Sequence, residues 1–134
     1  MQLVMIQAVM MILLVSFANG REMPDFDRLV SALVQVESGG RNHAVGDGGR
    51  AVGCLQMWPN AVDEVNRISG KKKFSYADRK NPVKSRAMCR ITLLWHHKRN
   101  PKLTDVQLMG KWRNPFSRCP EWYLNKCSKA LKGV

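Results

Sequence analysis

The chain has 134 residues, 45% of them hydrophobic, which suits one small domain with a single core and excludes a disordered chain. Twenty-two lysines and arginines against ten acids give a formal net charge of +12, so the protein is drawn to a polyanion: nucleic acid, anionic lipid or the bacterial wall. Most of this charge is scattered, and the one dense run, "GKKKF" at 70–74, is of the kind that usually forms a solvated loop.

The first twenty residues, "MQLVMIQAVMMILLVSFANG", carry no charge, hold an apolar stretch from Leu3 to Ala18 and end in Ala18-Asn19-Gly20. They read as a secretory signal cleaved after Gly20, without the usual basic residue at its start. Retained, the same stretch would be a membrane anchor, somewhat short of the roughly 20 residues that span a bilayer. Both readings export residues 21–134, to the periplasm, the cell envelope or the medium. Cys54, Cys89, Cys119 and Cys127 make the even number expected of an oxidising compartment and leave three pairings open. No C-x-x-C or H-x-x-x-H spacing occurs, and adjacent His96 and His97 would point about 100° apart on a helix, so neither a metal nor another cofactor is expected.

The mature part opens with an amphipathic helix over 24–38. Pro24, Asp25 and Asp27 suit its start, Phe26, Leu29, Val30, Leu33 and Val34 recur at three and four, and Gly39-Gly40 stop it in a left-handed cap. Six of the ten glycines then fall between 39 and 53, marking a loop whose backbone takes conformations that side chains forbid. Pro59 opens a second helix, with Ala61 or Val62, Val65 and Ile68 on its apolar face. Pro82 begins the longest one, to about His97, with Val83, Ala87, Met88, Ile91, Leu94 and Trp95 at helical spacing, closed by Asn100-Pro101. Two more helices follow, Thr104 to Trp112 and within 120–131, the latter opened by Pro120. With no convincing strand and no internal repeat, the expected fold is all-α, one small single domain.

Glu37 is the residue this pattern does not explain. It lies four residues past Leu33, seven past Val30 and eleven past Phe26, and so shares their buried-facing stripe. Burial and the negative end of the helix dipole both disfavour its charged form, which raises its pKa and makes a usable general acid. The plainer reading is a structural glutamate paired with one of many arginines. A glycine-rich loop directly after the acid favours the catalytic one, because it lets a polymer approach closely.

Residues 32–62, "ALVQVESGGRNHAVGDGGRAVGCLQMWPNAV", resemble the opening motifs of the soluble lytic transglycosylase family: a helix-terminal Glu-Ser, a small-residue loop, then Gly-x-x-Gln-x-x-Pro. Glu37-Ser38 matches the first motif, and Gly53 to Met57 with Pro59 matches the second; weaker likeness through "NPVKSRAMCRITLL" extends it over most of 25–125. The resemblance implies a lysozyme-like helical domain that cuts the β-1,4 bond between N-acetylmuramic acid and N-acetylglucosamine. Glu37 would protonate the glycosidic oxygen, then take the proton of the muramoyl 6-hydroxyl, leaving a 1,6-anhydro sugar. Ser38 and Gln56 would hold the glycan, with the backbone around Met57 lining the cleft. It also implies that the central helix packs beneath the loop, so that Cys89 reaches Cys54; the expected disulfides are Cys54 to Cys89 and Cys119 to Cys127.

The resemblance breaks at the family's third motif, an aromatic-Asn-small sequence. Here stands "KWRNPFSRCP", with Trp112 as the aromatic, Arg113 in the asparagine's place and Asn114 one position on, the remaining candidate for that binding role. Arg113 close to Glu37 would oppose the general-acid role, and a weakened enzyme is one outcome. Among the aromatics, Trp58 and Tyr76 are candidates to stack on sugars, Trp95 reads as core, and Trp122-Tyr123 stays open. Asp47 is the only other carboxylate between Glu37 and Asp63; in "VGDGG" it reads first as a turn residue. Were it to position water, the protein would be a goose-type-like lysozyme hydrolysing the same bond. A peptidoglycan-binding protein without activity is the other alternative. Nucleic acid is not the expected partner, since no recognition-helix pattern accompanies the charge. The expected partners are peptidoglycan glycan strands, with a membrane only if the leader is kept, and the protein is expected to act as a monomer.

Overall fold

The computed structural model describes residues 22–134, and the expected leader, 1–20, lies outside the described residues. Among the described residues no helix is long and apolar enough to cross a membrane. The fold is all-α, and its helices begin and end where local chemistry places them. Helix α1 (Phe26–Ser38) is capped by Asp25, whose carboxylate accepts the Arg28 N–H at 3.1 Å, and it stops at Gly39 with φ 62°. Helix α2 (Pro59–Ser69) has proline in its first turn and ends at Gly70, also left-handed. Asn81 caps α3 (Pro82–Arg99) by accepting from the Val83 and Lys84 N–H groups, and Thr104 with Gln107 forms a capping box at α4 (Asp105–Arg113). Pro120 stands at the N-cap of α5 (Glu121–Lys132).

Helix α3 packs against α1, α2 and α4, and α5 lies across α1 and α4. Their shared core holds Leu29, Leu33, Leu55, Met88, Leu93 and Leu108, all fully buried. Arg28 of α1 donates to the Leu131 carbonyl (2.8 Å), fastening the C-terminal end of α5 onto the first helix. That α1–α5 contact carries the site, because it sets the last helix beside the end of α1.

Two expectations about α3 are corrected. Val83 is 75% exposed, and Trp95 is half-buried outside the core, between the guanidinium groups of Arg67 (5.6 Å) and Arg99 (4.6 Å). The buried stripe runs instead through Ser85, Met88, Cys89, Thr92, Leu93 and His96. At 100° per residue Val83 falls opposite that stripe and Trp95 at its edge. A small hairpin was also not expected: β1 (Val45–Gly46) pairs antiparallel with β2 (Ala51–Val52), Val45 opposite Val52. Strands of two residues are too short to print an alternating pattern. The four cysteines are free thiols in this structure, with Cys119 half-buried and the other three buried.

Candidate active site

The hairpin loop is built so that it can bend back over the end of α1. Ser38 donates its hydroxyl to the Cys54 carbonyl (2.8 Å) and accepts the Arg41 N–H (3.1 Å), joining the helix end to the returning chain. Gln56, itself at φ 50°, donates both amide hydrogens within the loop, to the carbonyls of Ala44 and Gly53 at 3.0 Å each. Arg79 clamps the loop from outside, donating to the Arg50 (3.0 Å) and Met57 (3.1 Å) carbonyls. Gly53 makes this clamp fit: its φ is 86°, and a Cβ there would sit 1.9 Å from the Arg79 carbonyl oxygen.

Between this loop with α2 on one side and the end of α4 with α5 on the other runs a cleft of about 790 Å³, floored by Thr92 and His96 of α3. Glu37 opens into it. Tyr123 of α5, itself fully buried, donates its hydroxyl to Glu37 Oε1 in a short hydrogen bond, so Oε2 is the oxygen left to hold an acidic proton. Burial raises the Glu37 pKa above the ordinary carboxylate value. The Tyr123 hydrogen bond and the charges of Arg113 and Lys126 pull it down, Asp47 pushes it up, and the balance stays on the raised side. The Tyr123 phenol is raised too, by burial and by Glu37, so it remains a donor throughout the working range. His96 is driven down to about 4 by burial and by Lys111 and Arg99; it is neutral near pH 7 and brings no acidic proton.

Asp47 also lines the cleft. It is a turn residue, and it is held at φ 51°, which is uncommon for a side chain other than glycine. Its carboxylate accepts the Trp58 indole N–H at 3.0 Å, and Arg50 lies over the same indole at 5.3 Å.

The structure sorts the expected site residues. Glu37, Gln56, Met57 and Asn114 face the cleft together with Trp58 and Trp112. Asn114 closes the C-terminal end of α4 and gives its amide N–H to Ser117 Oγ (3.2 Å), while its buried Oδ1 has no partner. Met57 contributes a buried side chain with its carbonyl committed to Arg79. Ser38 lies behind the cleft wall, with its hydroxyl committed to main chain, and holds the loop rather than reaching the cleft. Tyr76 lies outside the cleft lining, donating to Asp63 at 2.9 Å on the solvent side. Tyr123 is the residue that sequence reasoning left undecided; its link to Glu37 crosses from α5 to α1, where no local pattern can signal it.

A family model for the transglycosylase SLT domain matches residues 17–109, more than half of the chain. The chain belongs to that family. Neither the curated proteins nor the solved structures supply a match. Membership in the SLT family brings with it lytic-transglycosylase-type chemistry on peptidoglycan. The match covers α1, the hairpin, α2 and α3. It runs into α4 and ends before Trp112 to Phe116 and before α5, so it takes in Glu37 and the loop and stops short of the opposite wall of the cleft.

Proposed function

We propose that the protein is an exported lytic transglycosylase that cleaves the N-acetylmuramic acid to N-acetylglucosamine β-1,4 bond of peptidoglycan, with Glu37 as acid and then as base. The single observation that carries the reading is Glu37 at the end of α1, opening into the cleft with a raised pKa and one oxygen anchored by Tyr123. The protonated carboxyl gives its proton to the glycosidic oxygen as the bond from the muramoyl C1 breaks. The resulting carboxylate then takes the proton of the 6-hydroxyl, and O6 closes on C1. No water is consumed, and Glu37 ends as it began, protonated. Asn114, which lines the same cleft, is placed to contribute its side-chain N–H to glycan binding.

Asp47 favours a second reading. Two-carboxylate glycosidases use a second acid across the cleft to activate water or to attack. A carboxylate held at an unfavourable φ in the same cleft suits that role. Mass spectrometry of the fragments that the protein releases from purified peptidoglycan separates the two. The expected products are anhydro-muramoyl fragments, each lighter than the hydrolysed sugar by one water and absent with Glu37→Gln. Hydrated products, lost with Asp47→Asn as well as with Glu37→Gln, would establish the hydrolase instead. No fragments from the unmodified protein would reduce it to a wall-binding protein.

A further inference from the structure

We propose that Arg113 and Lys126, which bracket the ring of Trp122, form a subsite for a carboxylate carried by the muramoyl residue cleaved at Glu37. The inference rests on the peptidoglycan reading above and names what that reading does not: which part of the substrate the far wall of the cleft recognises.

Three cations, Lys111, Arg113 and Lys126, line the cleft. The ion pairs found among the described residues, Arg67 with Glu64, Lys84 with Asp78 and Arg90 with Asp27, use none of them. Arg113 lies 4.8 Å from the centroid of the Trp122 ring and 5.3 Å from that of Tyr123, while the Lys126 ammonium lies 5.9 Å from the Trp122 ring. Trp122 is 53% exposed and edge-on to Tyr123, whose hydroxyl holds Glu37. A large aromatic face flanked by two unpaired cations is thus set one residue from the side chain that orients the acid.

The arrangement is costly for catalysis in the empty cleft. Both cations pull the proton off Glu37, which must carry it to begin the reaction. Once Glu37 is protonated, it no longer offsets their charge. An anionic group on the substrate resolves both problems, because it neutralises the bracket and removes the pull on the proton. Peptidoglycan offers that group on the muramoyl side only: the carboxylates of the stem peptide in intact strands, or the lactyl carboxylate where the peptide has been removed. N-acetylglucosamine has none. The guanidinium of Arg113 can take a carboxylate through two N–H groups, and the exposed Trp122 ring beneath it holds the guanidinium in place.

The test uses the full chain carrying Glu37→Gln, which leaves the cleft in place and stops turnover. Its affinity is measured by calorimetry for four soluble glycans of equal length: peptide-bearing strands, strands stripped of peptide by an amidase, the stripped strands with carboxylates capped as methylamides, and N-acetylglucosamine oligomers. Carboxylate-bearing strands are expected to bind about tenfold tighter than both neutral ones, with the advantage shrinking as salt rises. Adding Arg113→Gln and Lys126→Gln should bring all four within about twofold of one another. These two side chains are exposed, so an unchanged unfolding temperature in the triple variant shows that the fold is intact. A preference for peptide-bearing over stripped strands assigns the carboxylate to the stem, and the reverse assigns it to the lactyl group. Equal binding of charged and neutral strands, or a preference that survives both substitutions, would overturn the subsite alone. Binding to none of the four would overturn the function it rests on as well.

Discussion

At the scale of single residues the site turns on one hydrogen bond that favours the wrong form of the acid. The Tyr123 hydroxyl stabilises the Glu37 carboxylate, yet the proposed first step needs the carboxyl. Its value lies in orientation: it fixes Oε1 and leaves Oε2 to deliver the proton. Tyr123→Phe removes a contribution that lowers the Glu37 pKa, so that pKa moves further up. The high-pH limb of kcat, where the acid loses its proton, is therefore expected to shift to higher pH. The plateau should fall roughly tenfold or more as the carboxyl becomes free to rotate. A pH–rate profile of peptidoglycan clearance reads both, and a limb that moves toward acid would contradict the account. Glu37 itself was legible in the sequence, because a carboxylate on an apolar stripe before paired glycines is a local anomaly. Tyr123 was not, since nothing between α1 and α5 marks the contact. Ser38 shows the converse: a motif match names the residue, and only the coordinates show its hydroxyl facing the Cys54 carbonyl.

Among the elements, the hairpin loop carries the strain and the helices carry the stability. Helices were readable from their ends, since Asp25, Pro59, Pro82, Thr104 and Gly39 are chemical start and stop signals. The hairpin was not, because its fold is dictated by contacts made far along the chain. Arg79 reaches into it from the 3-10 turn at Tyr76–Lys80, and Gly53 must lack a side chain to let that backbone in. Gly53→Ala places a methyl group against the Arg79 carbonyl at a φ that alanine disfavours. It is expected to cost about 3 kcal/mol or more, measured by urea unfolding. Gly48→Ala is the contrast: its φ is 66°, but nothing lies within 4 Å of a Cβ there, so only the backbone penalty of about 1 kcal/mol is expected. Equal losses at the two positions would mean that the Arg79 clamp does not hold the loop.

For the molecule as a whole, the all-α class was legible because burying one stripe on each of several capped helices leaves few other solutions. The third motif departs from the family's pattern, and its consequence was legible: Trp112, Arg113 and Asn114 line the cleft, and Arg113 pulls the Glu37 pKa down. The cysteines link this scale to the proposed export. In the folded protein Cys89 is held well above the ordinary thiol value, chiefly by burial and in part by Glu37 and Cys54, and Cys127 is pushed up to about 12, by burial and then by Cys119. The family resemblance pairs Cys54 with Cys89 and Cys119 with Cys127, while all four stand as free thiols in this structure. Thiolates are the reactive form, so at neutral pH the folded, reduced protein is expected to oxidise slowly. Refolding in a mixture of reduced and oxidised glutathione should instead form both bridges. Glutathione disulfide takes up the two electrons and two protons of each thiol pair. Non-reducing peptide mapping is expected to find Cys54 joined to Cys89 and Cys119 joined to Cys127. Each bridge should add about 2–4 kcal/mol to stability, more for the longer Cys54 to Cys89 loop. The second bridge would fasten the segment after α4 to α5, and with it both sides of the bracket around Trp122. A link between Cys54 and Cys119, or a bridged form that unfolds as readily as the reduced one, would contradict this pairing and leave the helical core as the sole support of the cleft.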